Sequence, residues 1–113
     1  MKKLYTFIVA SLLCMSTFAQ SPEMMSYQAV VRDAADNLVA SSPVGMQISI
    51  LQGSTSGTAS YVETHTPTSN QNGLVSIEIG NGTSVSGDFA PIDWANGPYY
   101  VKTETDPTGG TSY

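Results

Sequence analysis

The sequence is poor in cysteine and histidine, the two residue types that most often bind zinc. Its one cysteine, Cys14, lies in an apolar N-terminal stretch, and its one histidine is His65. A zinc centre with four nitrogen or sulfur ligands therefore has no complete ligand set in this chain. No disulfide can form after residue 14, so side-chain packing has to hold the fold together.

Positive charge is also scarce. Beyond residue 19 the chain keeps two basic residues, Arg32 and Lys102, against nine acidic ones, which gives a formal charge of −7. A nucleic acid partner is excluded on this basis, because phosphate binding needs a basic surface. Neither a glycine-rich phosphate loop nor a Gly-x-Ser-x-Gly elbow is present, which argues against nucleotide chemistry and serine hydrolysis.

Long hydrophobic runs are absent except near the N-terminus. Lys2 and Lys3 precede a mostly apolar run over residues 4–13, which is shorter than the roughly 20 residues of a spanning helix. With small residues at the two cleavage positions, the pattern predicts a signal peptide over residues 1–19, cleaved between Ala19 and Gln20. We therefore expect a protein that is secreted or held on the outer cell surface, with no membrane span after cleavage.

Two other interpretations of this segment are an uncleaved anchor and a lipoprotein modified at Cys14. The short apolar run argues against the anchor. Leu13, directly before Cys14, is larger than the residue that normally precedes a lipidated cysteine.

The clearest pattern after the leader lies between two Asn-Gly pairs, over residues 72–82. Three apolar residues alternate with two polar ones in the order Val75, Ser76, Ile77, Glu78, Ile79. This period of two is typical of a strand with one buried face, and Asn-Gly favours a turn at each end. We expect this segment to be the central strand.

Further strands are predicted over residues 26–32, 44–51, 61–66 and 99–105, with an exposed loop over 52–60. Tyr99 and Val101 should point inward in the last strand. The irregular apolar residues Phe89, Ile92 and Trp94 should plug one end, with a short turn or a single helical turn between them. The predicted fold class is all-β, an antiparallel β-sandwich, with residues 20–25 as a flexible leader and 26–113 as the domain. A small barrel is the alternative architecture.

The C-terminal end carries a turn signal over residues 106–110 that is followed by three residues. Such a turn normally leads into a partner strand, so we expect the sandwich to be truncated at its C-terminus. An edge left open in this way would favour self-association through strand pairing.

A set of short motifs resembles the amino-terminal module of secreted surface proteins from Bacteroidota-type bacteria. The motifs are Tyr27 to Asp33, Ile48 to Gly53, Glu63 to His65, Gly73-Leu74, Ile79 to Gly82, Ile92 to Trp94 and Asp106 to Gly110. The resemblance implies an immunoglobulin-like or transthyretin-like sandwich upstream of collagen-like repeats, tail-fibre-like regions or a type IX sorting signal. It implies no catalytic activity. Asp36 departs from the family pattern, in which many members carry glycine in this turn.

Candidate chemistry is limited to two pairs of residues. Glu63 and His65 lie two residues apart on a predicted strand, so both point to one side and offer an acid/base pair or half a metal site. Asp33 and Asp36 offer oxygen ligands for calcium, without the spacing of an EF-hand loop. A surface or edge pair and a solvated turn are the favoured interpretations, and we expect no cofactor and no bound metal.

Exposed aromatic residues provide the remaining candidate site. Trp94, Tyr99 and Tyr100 could form a platform for a surface glycan, although such residues more often belong to a core or a cap. We therefore expect a non-catalytic structural or adhesion-type module with a protein or glycan partner. A carbohydrate-binding module is the first alternative, and a small metal-dependent enzyme the second.

Overall fold

The computed structural model describes residues 23–113, and these form an all-β fold. Its strands are β1 (Met25–Val30), β2 (Gly45–Gln52), β3 (Thr58–His65), β4 (Leu74–Ile79), β5 (Thr83–Ser86) and β6 (Tyr99–Asp106). One turn of 3-10 helix spans Trp94–Asn96. Within the described range there is no α-helix, and hence none long and apolar enough to cross a membrane. The predicted cleavage site between Ala19 and Gln20 lies outside this range.

The strands form two antiparallel sheets, as the predicted sandwich requires. One sheet has the order β1-β4, and the other has the order β5-β3-β2-β6. The prediction that residues 74–79 form the central strand was wrong, because β4 pairs with β1 alone. The strand with neighbours on both sides in the larger sheet is β2, whose Ile48 faces Glu63 on one side and Thr103 on the other.

The core lies between the two sheets and is built by alternation. Inward residues of β4 are buried while Ser76 and Glu78 are exposed, which confirms the pattern seen in the sequence. The buried core residues are Val31, Val44, Met46, Ile48, Ile50, Tyr61, Val75, Ile77, Ile79 and Phe89. Burial of these side chains supplies most of the stabilisation that a chain without disulfides needs.

Local side-chain acceptors shape the turns between strands. Asn70 Oδ1 accepts hydrogen bonds from the backbone N–H groups of Asn72 (2.8 Å) and Leu74 (3.0 Å), which guides the chain into β4. Gly73 in this turn has a φ of 77°. That left-handed conformation suits glycine and explains the first Asn-Gly pair.

Three details of the strand pattern differ from expectation. Residues 83–86 form β5, although their short polar sequence gives no strand signal. β3 begins at Thr58, inside the segment 52–60 that was expected to be an exposed loop. Val101 shares the inner face with its partner Ile50 but is 47% exposed, because β6 is an edge strand that the smaller sheet does not cover.

Candidate functional site

The inner face of β3 carries the two residues singled out from the sequence. Glu63 faces Ile48 across the sheet, and His65 faces Met46. The Glu63 side chain is 0% exposed, whereas that of His65 is 12% exposed. A carboxylate has therefore been placed among aliphatic core residues, where it needs strong compensating hydrogen bonds.

The turn between β4 and β5 supplies those hydrogen bonds. The backbone N–H of Gly80 donates to Glu63 Oε1, and that of Gly82 donates to Glu63 Oε2, both at 2.5 Å. Each carboxylate oxygen thus has its own backbone donor. We call this arrangement, made by Glu63, Gly80 and Gly82, the Glu63 clamp.

Both glycines of the clamp are required by its geometry. A Cβ on Gly82 would overlap Glu63 Oε2 and lie 2.6 Å from His65 Nε2. Gly80 has a φ of 104°, and a Cβ there would lie 2.8 Å from the ring of Phe89. The backbone can approach the carboxylate this closely only because no side chain intervenes.

His65 touches the clamp from its solvent side. Its Nε2 atom is 2.7 Å from Glu63 Oε2, yet the ring N–H is not aligned for a hydrogen bond with any acceptor among the described residues. The distance is short enough for a hydrogen bond, but the direction is not suitable for one. The imidazole also lines a shallow cleft with Ser76, Glu78 and Asn81, and Glu63 does not reach this cleft.

Among the described residues, no third His, Cys, Asp or Glu side chain joins this pair to form a metal-ligand group. Over residues 23–113, no group of three or more His, Cys, Asp and Glu side chains is arranged to hold a metal ion. The oxygens of Glu63 already accept two backbone bonds, and the carboxylate is sealed from solvent. As placed, the carboxylate joins β3 to the turn between β4 and β5.

Asp106 forms a second clamp at the end of β6. Its Oδ1 accepts from the N–H (2.9 Å) and hydroxyl (2.6 Å) of Thr108, and its Oδ2 accepts from the N–H of Ser112 (3.0 Å). The Thr108 hydroxyl, followed by these backbone donors, lowers the pKa of Asp106 below its ordinary value of 3.8. The Asp-Pro-Thr-Gly-Gly motif thus encodes a turn that wraps its own first residue.

The predicted calcium turn is also engaged internally. Asp33 Oδ1 accepts from the backbone N–H groups of Ala35 and Asn37, both at 2.9 Å. Asp36 lies at the surface, where its Oδ1 is 3.8 Å from Arg32 Nε. Its φ of 65° lies in the left-handed region, which favours glycine.

The aromatic residues form a ladder rather than a flat platform. Tyr61, Phe89, Trp94 and Tyr99 follow one another edge to face, with ring centroids 5.5, 5.6 and 5.2 Å apart. Tyr100 points to the opposite face of β6 and does not join them. Two ladder residues, the buried Phe89 and the 45% exposed Trp94, line a cavity of about 510 Å³ together with Ile92.

Tyr61 connects this ladder to the Glu63 clamp. Burial raises the pKa of the Tyr61 phenol, and the nearby carboxylates of Glu63 and Asp88 raise it further. The phenol therefore stays neutral inside the sandwich. As a buried neutral group it packs edge to face against Phe89.

Comparison with known proteins places this arrangement in a family. Residues 26–113 match the model of a family described as "Domain of unknown function (DUF8740)". The chain belongs to this family. No curated protein and no solved structure matches it. The DUF8740 domain therefore spans β2 to β6, β1 except for its first residue, both clamps and the aromatic ladder.

Two features of the DUF8740 domain were missed at the level of sequence. Glu63 was singled out as an acid/base candidate, but the role of Gly80 and Gly82 as its donors was not foreseen. Asp106 was assigned only to a turn. A signal was present in both places, because a carboxylate and a glycine-rich turn are what a backbone clamp requires.

Proposed function

We propose that the chain is a non-catalytic structural or adhesion-type module of a larger secreted or cell-surface protein. The observation that carries this proposal is the Glu63 clamp. Glu63 and His65 are the main acid/base candidates in the sequence. The carboxylate of Glu63 joins β3 to the turn between β4 and β5. A carboxylate that is 0% exposed and bonded on both oxygens is unsuited to attack a substrate.

Charge and the N-terminal pattern support an extracellular role. Beyond the predicted leader the formal charge is −7, which favours solubility outside the cell and disfavours polyanionic partners. The resemblance to amino-terminal modules of secreted surface proteins points the same way.

Surface accessibility in the native host tests the location. We would insert an epitope after Gly53, where the turn has open space around it, and treat intact cells with protease. The epitope should be removed without lysis, whereas a control lacking residues 1–19 should keep it until the cells are broken. Protection of the epitope in intact cells would refute the extracellular assignment.

Metal analysis tests the non-catalytic part. Purified protein should contain no stoichiometric ion, in the wild type and in His65→Ala alike. An ion present at one per chain and lost in His65→Ala would replace the scaffold role with the metal-dependent alternative.

A carbohydrate-binding role is the second candidate, and the exposed Trp94 at the rim of the cavity of about 510 Å³ favours it. An apolar ring beside a cavity of this size can stack on a sugar face. A glycan array with Trp94→Ala, and with Tyr100→Ala as the matched control, tests it. Binding lost only in Trp94→Ala would support this candidate, and no binding in the wild type would remove it.

A further inference from the structure

The outer edge of β6 has no partner strand within the described residues. β6 ends the order β5-β3-β2-β6 and pairs with β2 alone. It runs over Tyr99–Asp106, and its Tyr100 and Val101 are both exposed. At the opposite edge, β5 has four residues and a register irregularity against β3, which makes it a poor template.

Two opposite charges lie on one face of this edge. Lys102 and Glu104 point to the outer face, with Lys102 Nζ 3.5 Å from Glu104 Oε1. Their side chains are 53% and 29% exposed. A lone lysine on an edge strand normally prevents pairing with other chains. A glutamate two residues later changes this, because it can face the lysine of an identical strand.

We propose that β6 pairs antiparallel with β6 of a second copy of this chain, about a two-fold axis that passes through Thr103. In this register Lys102 of each copy lies opposite Glu104 of the other. Two charge-complementary pairs then form on the outer face, at cross-strand Cβ separations of about 5 Å. The interface is self-complementary, as a two-fold dimer requires.

Neighbouring registers are disfavoured by the same charges. Moving the axis to Lys102 places the two lysines opposite each other, and moving it to Glu104 does the same for the two glutamates. Like charges directly opposite destabilise a strand pair. The register centred on Glu104 also places Lys102 opposite Asp106, but Asp106 is buried and both of its oxygens already accept hydrogen bonds from Thr108 and Ser112. Among these three registers, the one centred on Thr103 alone places Lys102 opposite a carboxylate that solvent still reaches.

The inner face of β6 fits this register as well. Val101 lies opposite Thr105 of the second copy, and the two Thr103 side chains face each other. Pairs of β-branched residues are favourable on a pleated surface. The two four-stranded sheets become one continuous sheet, which also shields part of the exposed surface of Val101.

The dimer should be weak, because a single pair of strand edges buries little surface. The charge of −7 on each chain also opposes association at low ionic strength. At about 0.15 M salt this long-range repulsion is screened, while pairs about 5 Å apart still attract. The proposal does not depend on the extracellular location, so either can fail alone.

A charge-reversal cycle tests the register. Sedimentation of residues 20–113 would be measured over about 5 to 500 µM protein for the wild type, Lys102→Glu, Glu104→Lys and the double swap. Each single change turns both cross-strand pairs repulsive and should raise the dimer Kd about tenfold or more. The double swap restores both pairs and should return the Kd to within about threefold of the wild type. Mixing the two single variants should form a heterodimer.

Three sedimentation results would overturn the proposal. They are a wild type that stays monomeric throughout, single reversals that leave the dimer Kd unchanged, and a double swap that does not recover the wild-type Kd. Circular dichroism confirms that each variant is folded. Hydrogen exchange of the wild type needs no variant, and the outward N–H groups of β6 should exchange more slowly as concentration rises. Exchange independent of concentration would contradict pairing at this edge.

Discussion

At the scale of single residues, the Glu63 clamp shows how a buried carboxylate can stabilise a core. Removal of a charge from water costs several kcal/mol, and the cost is recovered only when each oxygen receives a donor. Gly80 and Gly82 provide these donors from a rigid turn at 2.5 Å. The backbone dipoles are fixed by the fold, so they need little rearrangement to face the carboxylate.

Gly82→Ala should disrupt the clamp sterically. The new methyl group overlaps Glu63 Oε2, so the turn must move and its hydrogen bonds lengthen. We expect a loss of about 2–4 kcal/mol in the free energy of unfolding, measured with urea. Gly53→Ala is the matched control, because Gly53 has a φ of 91° but open space around it. It should cost only about 1 kcal/mol, and equal losses in both variants would show that space at Gly82 is not critical.

Glu63→Gln tests the carboxylate itself. The amide keeps the shape of the carboxylate, and its oxygen can still accept from one glycine. Its NH₂ group faces the N–H of the other glycine, so these two donors lack an acceptor. The free energy of unfolding should fall by about 1–3 kcal/mol. Glu78→Gln, on the exposed face of β4, should change it by less than about 0.5 kcal/mol. An unchanged stability in Glu63→Gln would contradict the clamp.

Asp106 should make stability depend on acidity. The pKa of Asp106 in the folded state lies below its ordinary value of 3.8. The contribution of Asp106 to the free energy of unfolding is therefore complete above pH 3.8 and is lost as the pH falls through the folded-state pKa. Unfolding measured from about pH 6 to about pH 2 should show a shallower acid loss in Thr108→Ala, which lacks the hydroxyl donor. Thr105→Ala, at an exposed position of β6, should keep the wild-type slope, and identical slopes in both would count against the role of Thr108.

At the scale of elements, the segment between β5 and β6 is held by its aromatic residues. Phe89 is buried between Tyr61 and Trp94 and docks the segment on the core. The sequence predicted a plug with a short turn or a helical turn between its residues, because large apolar residues at irregular spacing suit neither a strand nor a long helix. Phe89 is buried and a turn links it to Ile92, but Trp94 is 45% exposed and the 3-10 turn begins only at Trp94. Its ladder geometry depends on contacts with β3 and β6, which are distant in sequence.

Phe89→Ala should release this segment. We expect a loss of about 3 kcal/mol in the free energy of unfolding and a red shift of native Trp94 emission, because the ring loses its buried neighbour. Val85→Ala, at an exposed position of β5, should leave both unchanged. Native emission that stays at the wild-type wavelength in a folded Phe89→Ala variant would show that Phe89 does not position Trp94.

At the scale of the whole molecule, both sheets share one core, so the domain should unfold as a unit. Ile48 of β2 is fully buried in this core. Ile48→Ala should lower the free energy of unfolding by about 3 kcal/mol. Far-ultraviolet circular dichroism and Trp94 fluorescence should shift together. Val30→Ala, an exposed site on β1, should cost less than about 0.5 kcal/mol, and two separate transitions would contradict a single cooperative core.

The order of residues along the chain is enough to assign which side chains share a strand face and where the chain turns. Val75, Ile77 and Ile79 are buried as their alternation predicts, and the turn at Asn70 to Gly73 uses acceptors within four residues. These features are local, because strand period and turn conformation depend on neighbouring residues alone.

Which residues and strands those faces contact depends on how distant segments of the chain pack. Glu63 is sealed by donors 17 and 19 residues further along the chain. β4 has one partner strand where a central position was expected, and Val101 is exposed because β6 forms an edge. Strand order and desolvation depend on contacts between distant segments, and the pattern within a single strand carries no information about its neighbours.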